Sequence, residues 1–219
     1  MRLWLIRHGQ STWNAQRRLQ GRADPPLSEL GRWQAKRVAA ALAAQVEHPL
    51  ALYSSDQRRA TETAEPIAER LHLPIRPDPR LREHDMGEAT GHTWEELLEK
   101  YPHLLAIDAA GKSVLPHLPG AEPPESARAR ITECFDEIIA RHGAEGGDVI
   151  VVAHGGVFRT YLGHILGLPD LPTLTLRFGN ASITRLEQNE HGTFYIAVLN
   201  ERCHLREPLP FSPPPSPPR

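Results

Sequence analysis

At four places in this sequence an apolar or extended run ends in a chemically useful group. Leu3-Trp4-Leu5-Ile6 gives way to Arg7-His8-Gly9, and the run over residues 50–54 is followed by Ser55-Asp56-Gln57-Arg58-Arg59. The segment over 75–83 leads into Arg82-Glu83-His84, and the β-branched run DVIVVA, residues 148–153, delivers His154-Gly155-Gly156. Arginine binds the non-bridging oxygens of a phosphoryl group through paired N–H donors and keeps its proton. Neutral histidine is a competent nucleophile and titrates near neutral pH. Glycines at 9, 155 and 156 are expected to let the backbone come close to a ligand. These residue types together point to phosphoryl transfer through a histidine, with electrostatic stabilisation of the transferred group.

The groups meet only if the elements that carry them end at one edge. Residues 2–6, 50–54 and 148–153 read as strands, and Ile75 opens a short extended segment. Ser28 reads as a helix N-cap, after which Ala35, Val38, Ala39, Leu42, Ala43 and Val46 recur at helical spacing. Further helices are expected over 56–72, 126–142 and 157–166. Strands near 174–187 and 193–199 are expected to join through a turn over Asn189 to Gly192. Strands separated by helices predict an α/β fold, a three-layer α/β/α arrangement with a mainly parallel central sheet. Ligands of open α/β sheets bind outside the carboxyl ends of the strands.

The stretch over 84–125 breaks the alternation. It is rich in Gly, Pro and His, has one short helical pattern near 93–100, and reads as a small insertion over the active site. A single domain over 1–207 is expected, followed by a disordered proline-rich tail over 208–219.

The formal net charge of −2 gives no global pull toward nucleic acid or an anionic membrane, so anion selectivity must be local. The apolar run before Arg7 is too short for a signal-peptide core or a membrane span. Cys134 and Cys203 lack CxxC spacing and read as buried, reduced thiols of a cytoplasmic protein. There is no HExxH and no close Cys/His cluster, so neither metal nor cofactor is expected. His48, His72, His103, His142 and His191 read as surface residues at loops and element ends. Oligomeric state is not legible.

The motifs resemble those of the histidine phosphatase, or phosphoglycerate mutase-like, superfamily. RHGQSTWN, from Arg7 to Asn14, is similar to its N-terminal signature, and QGRADPPLSELGRWQA, from Gln20, to its Pro-Leu-Ser/Thr-x-x-Gly stretch. YSSDQRRATETA, LREHDMGEATG, VVAHGGVFR and LNERCHL follow in the family's order. The resemblance implies that His8 is the nucleophile and is transiently phosphorylated. It implies that Arg7 and Arg59 clamp the phosphoryl oxygens, with Arg58 the less favoured second clamp, and that His154 donates to the transferred group. Glu83 would protonate the leaving oxygen and then activate water, for which partial burial is expected to raise its pKa. Asn14 and Gln20 would be secondary contacts. Arg22, with Arg17 and Arg18, would reach a second anionic group. Gln57 stands where the family usually has Leu, and His204 is expected to pack the chain end.

The implied activity is a metal-independent phosphomonoester hydrolase acting on a small anionic metabolite. The stretch HDMGEATGHTWEEL lacks the Tyr-Gly-x-Leu-x-Gly pattern usual in mutases, which favours hydrolysis over a cofactor-dependent phosphoglycerate mutase. A non-catalytic phospholigand-binding protein is the reading from another class. Retention of His8, Arg7 and His154 stands against it.

Overall fold

A computed structural model of the chain describes residues 1–109, 114, 117–168 and 176–206. The proline-rich stretch over 208–219 lies outside them. Six strands are present among the described residues: β1 (Arg2–Arg7), β2 (Pro49–Ser54), β3 (Ile75–Pro77), β4 (Asp148–Ala153), β5 (Ile183–Gln188) and β6 (Phe194–Glu201). The helices are α1 (Thr12–Ala15), α2 (Glu29–Ala43), α3 (Arg58–Leu71), α4 (Trp94–Lys100), α5 (Leu104–Ala109), α6 (Pro124–His142) and α7 (Gly155–Ile165).

The strands form one sheet in the order β3-β2-β4-β1-β5-β6. The first four run parallel, and β5 and β6 are antiparallel to their neighbours. Side chains alternate between the two faces of each strand. Leu3, Leu5, Val149 and Val151 pack with Phe135, Ile138, Phe158 and Tyr161 of α6 and α7. Trp4, Ile6, Ile150 and Val152 pack with Val38, Leu42, Ala60 and Ile67 of α2 and α3. β4 is buried along its whole length, as its unbroken apolar run requires.

Register sets the site. Arg7 lies opposite Ala153, and Ser54 opposite Val152, so His8, Ser55 and His154 leave the sheet at one edge. At the other edge Asp148 is fully buried. It accepts from Arg2 Nε at 2.6 Å and Nη2 at 2.7 Å, Trp4 Nε1 at 2.7 Å, and the backbone N–H groups of Glu47 at 3.2 Å and His48 at 3.0 Å.

Residues between β3 and α6 gather their own small apolar cluster, including Ala89, Leu97, Leu104 and Leu118. It docks on the loop after α1 through Leu19, whose N–H donates to His92 O at 2.9 Å and whose carbonyl accepts from Gly91 N at 2.8 Å.

Several expectations change. β5 starts at Ile183 rather than near 174. Residues 176–182 instead form a loop at the mouth of the sheet, tied down by Arg7, Arg159 and Asn180, while 174 and 175 lie outside the described residues. His142 is buried, not at the surface, because its Nε2 meets the Tyr53 hydroxyl at 3.1 Å inside the sheet–α6 layer. Cys134 is buried but Cys203 is exposed, since the turn after β6 faces solvent. α5 was not anticipated. The turn over Asn189 to Gly192 closes the β5–β6 hairpin as expected, with Asn189 N donating to Thr193 O at 2.9 Å. No helix among the described residues is long and apolar enough to cross a membrane.

Candidate active site

His8 ends β1 buried and oriented. Its Nδ1 lies 2.7 Å from the carbonyl of Gly9. A carbonyl only accepts, so Nδ1 carries the hydrogen and Nε2 presents its lone pair. Among the described residues nothing hydrogen-bonds to that Nε2. Burial, then the charges of Arg59 and Arg7, hold the His8 pKa well below the ordinary histidine value, so the ring is neutral as a nucleophile must be.

His154 follows β4 with its ring centroid 5.1 Å from that of His8. Its Nε2 meets Ser55 Oγ at 2.9 Å, and Ser55 Oγ in turn accepts from Gln57 N at 3.3 Å. Oγ can donate its hydroxyl hydrogen to Nε2, and in that tautomer the hydrogen of His154 lies on Nδ1. That Nδ1 is buried and has no partner.

The two arginines expected to act as clamps show the same incompleteness. Arg7 donates through Nη1 to Phe178 O, but its buried Nε is unpartnered. Arg59 is 0% exposed. It donates from Nη1 to Ala23 O at 2.7 Å and from Nη2 to Gly21 O at 3.0 Å, and again its Nε has no partner. Burial brings the pKa of each down to about 10, which still leaves both charged at neutral pH. Arg58, the alternative clamp, turns outward and pairs with Glu62 at 2.6 Å. α3 starts at Arg58, so the two neighbours point to different faces.

Glu83 completes the ring. Its Oε1 accepts from His84 N at 3.0 Å and its Oε2 from Gly156 N, in the first turn of α7, at 3.1 Å. The expected rise in its pKa does not occur. Burial does push upward, but His84, the two backbone donors and Arg59 outweigh it, and the carboxyl sits below its usual value. The glycines also serve differently than expected. A Cβ at Gly156 would lie 2.2 Å from Glu83 Oε1, and one at Gly9 2.6 Å from Gly31 O. Both make room for protein neighbours rather than for a ligand.

Of the secondary contacts, Asn14 accepts from Ser11 N at 3.1 Å and Asn180 Nδ2 at 3.0 Å, and Gln20 accepts from Ser11 Oγ at 2.7 Å. Arg22 is engaged by Glu122 at 3.1 Å, and Arg18 by Gly91 O and Glu96. Glu122 also takes Arg130 Nε and Nη2, each at 2.7 Å, and Arg130 Nη1 donates to Arg82 O at 2.7 Å just before Glu83. Gln57 was not given a role in advance. Its Oε1 accepts from Arg59 Nη2 at 3.2 Å and Glu83 N at 2.9 Å, and its Nε2 donates to Gly21 O at 3.1 Å. A polar residue in a usual leucine position was the available signal. Ser55 was also missed, because a serine at a strand end carries no sign of the histidine it will meet. Among the described residues no group of three or more His, Cys, Asp or Glu could hold a metal ion.

The chain is similar to known proteins over most of its length. The chain is 38% identical over 193 residues to the glucosyl-3-phosphoglycerate phosphatase of Mycobacterium tuberculosis (strain ATCC 25618 / H37Rv), covering 84% of each. It is 37% identical over 156 residues to a metal-independent phosphoserine phosphatase of Arabidopsis thaliana, covering 71% of this chain and 64% of that one. The solved structure of Bacillus stearothermophilus YhfR superposes with a TM-score of 0.81 at 33% identity, over 94% of this chain and 99% of that one. Residues 3–202, which include each group gathered around His8, match the histidine phosphatase superfamily (branch 1), and the chain belongs to that family.

Proposed function

We propose that this chain is a metal-independent phosphomonoester hydrolase that works through a phosphohistidine on His8 and acts on a small anionic metabolite. The observation that carries the reading is a set of unfinished donors. Arg7 Nε, Arg59 Nε and His154 Nδ1 are buried without partners around the free Nε2 of His8. Buried donors left unpaired are costly, and a phosphoryl group seated against His8 would satisfy all three with its oxygens. Asn14 and Gln20 use their carbonyl oxygens on Ser11, which leaves their amide N–H groups as further donors. Arg22 serves the substrate only by leaving Glu122.

His8 Nε2 attacks phosphorus as the ester P–O bond breaks, and the departing oxygen takes the proton of Glu83. The Glu83 carboxylate then removes a proton from water, which attacks phosphorus as the P–N bond breaks. Inorganic phosphate leaves and His8 returns neutral. Glu83 acquires its first proton because a bound phosphoryl anion raises its pKa, or, equivalently, because the ester arrives as the monoanion. We assign the enzyme to the cytoplasm, where the free thiols Cys134 and Cys203 would persist.

The test is phosphate release from a panel of phosphomonoesters in EDTA, without a bisphosphate primer, for the wild type and His8→Ala. Release that the variant loses supports the reading. Release that survives in His8→Ala, or that needs added metal, overturns it.

A further inference from the structure

α7 turns one face toward the site, with residues four apart stacked along it. Gly155 packs near Arg7, a Cβ there standing 3.6 Å from Arg7 Nε, and Gly156 N holds Glu83. One turn further on, Thr160 Oγ1 meets His84 Nε2 at 3.1 Å. Arg159 sits beside it, half-buried, and donates from Nε to Leu176 O at 3.2 Å. The short loop that begins there is gripped twice more. Arg7 takes Phe178 O, and Arg202 lies across Gly179, where a Cβ would come within 2.5 Å of its Cδ. Arg7, Arg159 and Arg202 therefore flank one loop at the mouth of the sheet.

Their charges are not balanced from within. Among the described residues neither Arg159 nor Arg202 has a carboxylate within ion-pair distance. Glu83 is the acidic group acting on both Arg7 and Arg159, and burial depresses the pKa of Arg159. Arg7 and Arg59 already match the two charges of a phosphoryl dianion. Of the arginines expected to reach a second anion, Arg18 is engaged by Glu96, Arg22 by Glu122, and Arg17 is exposed. Arg159 is half-buried with only its Nε engaged, and its two terminal nitrogens form the fork that a carboxylate fits.

We propose that Arg159, assisted by Arg202, binds a carboxylate carried by the substrate beside its phosphate ester, and so makes the enzyme selective for phosphorylated hydroxy or amino acids. The inference rests on the hydrolase reading above and adds the class of substrate.

The test compares two esters of one carbon skeleton, 3-phosphoglycerate and glycerol 3-phosphate, of which only the first has the carboxylate. The wild type should prefer 3-phosphoglycerate. Arg159→Gln should lower kcat/KM for it by roughly 10- to 100-fold, mainly through KM, and reduce the preference over glycerol 3-phosphate. Arg159→Lys should fall between, since it keeps the charge and loses the fork. Arg202→Gln, at an exposed position that puts folding at little risk, should show a smaller loss of the same kind. An equal fall on both esters would mean that Arg159 only supports the loop, and would overturn the inference, as would equal wild-type rates on the two esters. Release from neither, with none from phenyl phosphate, would instead sink the hydrolase reading and this inference with it.

Discussion

The two ends of the central sheet treat buried charge in opposite ways. At the amino end of β4, Asp148 is buried and saturated, with Arg2, Trp4 and two backbone N–H groups all donating to it. At the carboxyl end, Arg59 and His154 are buried and Arg7 is half-buried, and each has a buried donor left over. A buried ion lacking partners costs several kcal/mol, so the difference is not neutral. The completed end holds three segments of chain in one geometry and asks for nothing from solution. The incomplete end is flanked by two apolar layers, and on the proposed reading a bound anion completes it.

The sharpest way to probe the open end is Glu83→Gln. It should reduce kcat/KM, which reports only the steps up to the phosphohistidine, roughly 100- to 10,000-fold on an alkyl phosphate. The loss should be far smaller on p-nitrophenyl phosphate, whose leaving group needs no proton. Equal losses on both would remove Glu83 from the acid role. The pH profile carries the sign. His8 is held below its ordinary pKa and stays the neutral nucleophile into acid, and activity is lost only as pH falls through that lowered value. Glu83 is also held below its ordinary pKa and loses its proton early as pH rises. The kcat/KM of the wild type should therefore be highest on the acid side and decline through neutrality, and Glu83→Gln should abolish that decline.

Asp148→Ala probes the closed end. It should lower stability by about 3–5 kcal/mol, read by denaturant melts, because Arg2 and two backbone donors lose their acceptor. The activity of the protein that remains folded should not change. The Asp148 pKa is below its usual value in the fold, so its contribution is present above the unfolded carboxylate pKa and is lost as pH falls through the folded value. A smaller effect is expected from inorganic phosphate. At 100 times its Kd it should add about 2.7 kcal/mol to the wild type and markedly less to Arg7→Ala. Stabilisation that is equal in the two proteins would mean that the unfinished donors are not where the anion sits. The smallest effect is that of Gln57→Leu, about 1 kcal/mol in stability, since a buried amide bridge is exchanged for an apolar contact of similar size. A fall in kcat with little change in KM would show that the bridge positions Glu83 against Arg59. No change in kcat would leave Gln57 as packing alone.

The framework was legible because it is local. The apolar runs over 2–6 and 148–153 and the helical spacing from Ser28 to Leu42 each depend on near neighbours, and β1, β4 and α2 formed there. The identities of His8, Arg7 and His154 were legible as residues that follow such runs. What could not be read is what depends on pairs far apart in the chain. Burial raises the Glu83 pKa and the adjacent His84 lowers it most, but the amide of Gly156, 73 residues on, and Arg59 add to the lowering, and neither stands near it in sequence. His142 was expected at the surface because it ends a helix, but Tyr53 in β2 lies beneath that end. Arg22 was expected to reach the substrate, and Glu122, 100 residues away, has taken it.

The carbonyl of Gly9 has one further effect. By holding the hydrogen of His8 on Nδ1, it decides which nitrogen can carry phosphorus. Of the two isomers open to a free imidazole, only the phosphoramidate on Nε2 can form without breaking that bond. A phosphohistidine on His8, as proposed, would therefore have a fixed regiochemistry, set by a main-chain atom that no side-chain substitution can delete.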